Sequence, residues 1–68
     1  MAEAKFHEFE VDMTFYMAVN RVRQIMGHET YWLHNQVGGQ GWTVYNCGPR
    51  IVVRVQDSET ATYLRLKL

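Results

Sequence analysis

Sixty-eight residues, 47% of them hydrophobic and 21% charged, suit one small globular domain and exclude a disordered chain. Net charge is zero, divided as −2 over residues 1–30 and +2 over 31–68, which excludes nucleic-acid binding driven by bulk charge alone. Cys47 is the one cysteine, so no internal disulfide forms and a buried lone thiol is expected ahead of an intermolecular bridge; no apolar run approaches the ~20 residues that span a membrane.

The opening MAEAKFHEFE lacks a basic stretch followed by an apolar run, so we expect no leader and a cytoplasmic location. Residues 5–12, KFHEFEVD, alternate: His7, Phe9 and Val11 point one way, and Phe6, Glu8, Glu10 and Asp12 the other. That period predicts a half-buried strand, with Phe6 the misfit on an acidic side. Over 14–26 the period changes. Phe15, Ala18, Val19, Val22, Ile25 and Met26 form the stripe of an amphipathic helix, which Asp12 or Thr14 can cap and Gly27 can end.

Strands are then predicted at 31–37, 42–47, 51–56 and 61–68, separated by GGQG, Gly48-Pro49 and DSET. The expected fold is a single α+β domain over 1–68. One helix packs on a mostly antiparallel five-stranded sheet, in the order β-α-β-β-β-β. Symmetric hairpins would pair Val37 with Trp42, Asn35 with Val44, Val44 with Val53, Val53 with Leu64 and Ile51 with Leu66. Leu33, Val37, Trp42, Val44, Ile51, Val53, Val55, Leu64 and Leu66 then face the helix. The opposite face carries Trp32, His34, Gln36, Thr43, Tyr45, Cys47, Val52, Arg54, Tyr63, Arg65 and Lys67. The first strand is free to lie beside the last, where Glu8, Glu10 and Asp12 would meet Arg65 and Lys67.

Aromatics interleaved with cations make that outer face the candidate site: Trp32, His34, Tyr45, Arg54, Tyr63 and Arg65. Aromatics and Arg are enriched at protein interfaces, so a protein partner or a homodimer is the leading expectation. Stacking of single-stranded nucleic acid on the same rings is the alternative. β-Propensity alone also favours such residues on an exposed sheet face.

No constellation supports catalysis or a cofactor, so a non-enzymatic protein is expected. His7, His28 and His34 lack the spacing of a zinc site, and Cys47 has no cysteine partner. A Cys-His pair of Cys47 and His34 would lie on a flat face without a cleft. Glu8, Glu10 and Asp12 run along one strand face, which makes a charged edge rather than an acid–base pair across a pocket. GGQG is followed by a strand, not by the helix a phosphate loop needs. Arg21 and Arg23, with Tyr16, Asn20 and Gln24, read as a solvated helix face.

Strand, helix, then a four-strand meander resembles the order in cystatin-type protease inhibitors. Their first hairpin loop carries Gln-Val-x-x-Gly, and Gln36-Val37-Gly38-Gly39 stands in the corresponding place, a partial match. The second-loop Pro-Trp pair of that family is absent, and Gly48-Pro49 lies in a different hairpin. The resemblance implies protease inhibition as a minor option. Small chains without catalytic groups are often regulators, inhibitors or adaptors, many of them encoded by phages and mobile elements.

Overall fold

A computed structural model describes residues 6–68. The N-terminal alternation folds as strand β1 (His7–Val11); Lys5, where the predicted strand begins, lies outside the described residues. Helix α1 spans Phe15–Met26. The Thr14 hydroxyl, rather than Asp12, caps it by accepting from the Met17 amide at 3.2 Å. Gly27, at φ 126°, ends it and donates its amide to the Arg23 carbonyl. The predicted stripe is the buried one: Ala18, Val19 and Val22 lie in the core, with Phe15, Ile25 and Met26 packed against it.

The rest of the chain folds as β2 (Tyr31–Leu33), β3 (Gln36–Gly39), β4 (Trp42–Cys47), β5 (Arg50–Val55) and α2 (Ser58–Lys67). The α+β class, the five antiparallel strands and the order β-α-β-β-β-β are therefore as expected, and a second helix follows. Two assignments differ. The single strand predicted at 31–37 is two strands, because His34-Asn35 makes a two-residue turn without glycine or proline to mark it. The strand predicted at 61–68 is the helix α2.

Leu64, Leu66 and Leu68 alternate with Arg65 and Lys67, which reads as period two. The same residues also satisfy a helix, because Ala61, Leu64 and Leu68 recur at i, i+3 and i+7. The helix prevails through its cap and composition. Asp57 accepts from the Thr60 amide at 3.0 Å, Glu59 lies in the first turn, and Arg65 and Lys67 lie in the last. These charges oppose the helix dipole at both ends. Leu64 is fully buried, whereas Leu66 is 81% exposed.

The sheet order is β1-β5-β4-β3-β2. β1 thus pairs with β5, not with the last element of the chain. Glu8 is opposite Arg54 and Glu10 opposite Val52, so the acidic strand meets Arg54 and Arg50 instead of Arg65 and Lys67. Val44 pairs with Val53 as predicted. Val53 and Ile51 take Phe9 and Val11 as partners in place of Leu64 and Leu66. Val37 pairs with Val44 and Gly39 with Trp42, a slip of two residues from the predicted register. An even slip leaves every β3 and β4 side chain on its predicted face.

α1 packs over β4, and α2 over β1 and β5. Both helices contribute to one core with Phe9, Val37, Trp42, Val44, Ile51, Val53 and Val55. The described residues thus form two layers, helices over one side of the sheet, and none of them covers the other side. Gln36-Val37-Gly38-Gly39, the partial match to the inhibitor loop, is β3 itself, paired on both sides, with Val37 buried.

Candidate protein-binding face

The uncovered face is assembled from alternate residues of all five strands: Glu8 and Glu10 of β1, Arg54 and Val52 of β5, Thr43 and Tyr45 of β4, Gln36 and Gly38 of β3, and Tyr31 and Leu33 of β2. At its centre Arg54 donates from Nε to Glu8 Oε2 at 2.7 Å, with Nη2 at 2.6 Å from the same oxygen. Its guanidinium lies 5.1 Å from the centre of the Tyr45 ring and 4.9 Å from that of Phe6. Such cation–π contacts hold the planar group between rings. The bond to Glu8 raises the Arg54 pKa above its ordinary value; Tyr45 adds to the rise and partial desolvation opposes it. Arg50 pairs with Glu10 in the same way through Nε. Among the described residues, Arg50 and Arg54 of this face are therefore each matched by a carboxylate of β1.

Of the six residues predicted to share a face, only Tyr45 and Arg54 do so. Trp32 is opposite Val37 and hence on the helix side, where its ring stacks on Tyr16 of α1 at 6.4 Å and 29°. The reason is the turn at His34-Asn35. A continuous strand would put residues 33 and 37 on one face, whereas the turn pairs 33 with 36 and so exchanges the faces of everything before it. Leu33, predicted inward, faces outward and is 59% exposed. His34 sits in the turn itself. Tyr63 and Arg65 belong to α2, on the opposite layer. Lys67 lies over the Tyr63 ring, and Arg65 over the ring of Phe9, each at 5.5 Å.

The face instead gains Phe6, Tyr31 and Leu33, all exposed. Phe6 was legible as the apolar misfit in an acidic alternation. Tyr31 and Leu33 could be found only by locating the unmarked turn. A surface recess on this side is lined by Phe6, Tyr31, Thr43, Arg54 and Gln56. The outer end of the Tyr31 ring sits over Gly38, which has no side chain to hold it off.

Among the described residues no group of three or more His, Cys, Asp or Glu is gathered for a metal ion, and no helix is long and apolar enough to cross a membrane. Cys47 is exposed rather than buried, because it ends β4 beyond the helix-covered part of the sheet. No protein-family model, curated protein or solved structure matches the chain.

Proposed function

We propose that this chain is a non-enzymatic binding protein, of regulator, inhibitor or adaptor type, that docks on a larger protein through the uncovered sheet face. The observation that carries the reading is the pairing of exposed Phe6, Tyr31 and Leu33 with the Tyr45–Arg54–Glu8 cluster on one face that no part of the described chain covers. Exposed apolar surface rimmed by polar groups is what protein interfaces use, with aromatics and Arg as anchors. The exposed lone thiol agrees with a reducing, cytoplasmic setting.

The same rings are the basis of the rival reading, a single-strand nucleic-acid module. Such modules combine stacking rings with cations free to track phosphates. Here Arg50 and Arg54 are each held by a carboxylate, which favours the protein partner.

The test compares the wild-type chain with a Tyr31→Ala/Tyr45→Ala double variant as bait in its native host. A partner retained by the first and lost by the second is the expected result. Partners bound equally by both would place binding elsewhere. Fluorescently labelled single-stranded DNA and RNA, titrated at low salt, form the second arm. Salt-sensitive binding that Tyr45→Ala weakens by ~1–3 kcal/mol would transfer the face to nucleic acid.

A further inference from the structure

The two edges of the sheet are β1 and β2, and they differ in character. β1 presents Glu8 and Glu10 and runs into Asp12. A second copy laid antiparallel along it would bring carboxylates against carboxylates, which blunts an edge. β2 is Tyr31-Trp32-Leu33, exposed by 45%, 51% and 59%, with no charge and no proline to protect it.

The backbone of β2 also divides its hydrogen-bonding groups between two sides. The two-residue turn at His34-Asn35 closes on the pair Leu33–Gln36, and a tight turn of this kind closes on a hydrogen-bonded pair. Bonded and non-bonded pairs alternate along an antiparallel ladder. Tyr31 and Leu33 therefore direct their backbone groups to β3, and Trp32 directs its N–H and C=O to the open side.

We propose that β2 is a self-association strand, which pairs antiparallel with β2 of a second copy about a two-fold axis at Trp32. The register follows from the three residues. Trp32 faces its own symmetry mate, and their outward N–H and C=O groups exchange two hydrogen bonds. Tyr31 faces Leu33 of the other copy twice over on the uncovered side. On the helix side the two Trp32 rings become neighbours, each backed by its own Tyr16. Next along the strand Thr30 meets His34, so no like charges oppose each other. The strand is thus complementary to itself under a two-fold operation, and this selects a second copy over a foreign strand. The acidic β1 edges end the doubled sheet on both sides, so the contact closes as a dimer and does not propagate into a fibre. The two Tyr45–Arg54 clusters would lie on one continuous face.

Sedimentation equilibrium from micromolar to submillimolar concentration reads the proposal. A species at twice the 8.0 kDa chain mass is expected. Trp32→Lys puts two ammonium groups face to face across the axis and should weaken association by at least about tenfold. Leu33→Lys, at an outward position, should weaken it as well. Far-UV circular dichroism and the urea midpoint verify that each variant remains folded. Tyr45→Ala, which addresses partner docking, should leave the mass unchanged. A wild-type chain that stays monomeric throughout, or a dimer that survives both lysine variants with the fold intact, would overturn the proposal.

Discussion

Gly38 and Gly39 are neighbours on β3 and face opposite ways, so each seats a ring on its own side of the sheet. A methyl group at Gly39 would stand 2.6 and 2.8 Å from atoms of the Trp42 indole and 2.9 Å from the Glu29 carbonyl oxygen. Trp42 is buried in the core and cannot move aside. Gly39→Ala should therefore cost ~1–3 kcal/mol by overpacking, read from urea unfolding. At Gly38 the atoms nearest to the methyl group belong to the outer end of the Tyr31 ring, which is half exposed and can swing into solvent. Gly38→Ala should cost less than about 1 kcal/mol, because the loss of that contact is partly offset by reduced freedom of the unfolded chain. Equal costs would contradict the assignment of the two rings to an exposed and a buried side. Sequence showed the two glycines but read them as turn formers in GGQG, since nothing local says that a ring will lie over a strand.

At the scale of elements, α2 supplies the sharpest test. A strand over 61–68 would turn Leu64 and Leu66 to the same face, whereas the helix buries one and exposes the other. Leu64→Ala should cost ~2–5 kcal/mol, and Leu66→Ala should stay within about 0.5 kcal/mol. Comparable losses at both positions would restore the strand. The cap of α2 predicts a dependence on pH. The Thr60 hydroxyl, and after it the Thr60 amide, hold the Asp57 carboxyl below the usual carboxylate range. A folded-state pKa lowered in this way stabilises the protein where Asp57 is ionised, above the pKa of the unfolded chain. The contribution is lost as pH falls through the folded value. Thermal melts taken from neutral to acid pH should show a shallower decline of Tm for Asp57→Asn than for the wild type; parallel declines would refute the linkage. The cap of α1 behaves more simply: Thr14→Ala should cost about 1 kcal/mol at any pH.

For the molecule as a whole, the arrangement to explain is a sheet with both helices on one side. α1 runs from β1 at one edge of the sheet to β2 at the other and crosses over β4. α2 then covers the β1–β5 half. Nothing in the described chain remains for the far side, so its finish is left to side chains: ion pairs and Phe6 toward β1, Tyr31 and Leu33 toward β2. The ion pairs are exposed, and Glu8→Gln should lower stability by no more than about 1 kcal/mol. That variant also leaves Arg54 without its carboxylate. If neutralised cations are what keep nucleic acid off this face, Glu8→Gln should show measurable single-strand binding at low salt where the wild type shows none. No gain in the variant would mean that the rings, not the charges, set the character of the face.

Periodicity by itself determined the class, the first helix with its buried stripe, and the core valines of β3, β4 and β5, because burial on a repeating element imprints a period on the chain. It also supplied Tyr45 and Arg54 on one face, since an even slip in register does not exchange faces. Tertiary structure decided the rest. The turn at His34-Asn35 moved Trp32 to the helix side and Leu33 to the open side. The partner chosen by β1 matched Glu8 to Arg54, and the choice of helix over strand carried Tyr63 and Arg65 to the other layer. Each of these depends on which distant segment a residue meets, and a local pattern that satisfies both periods carries no information about that.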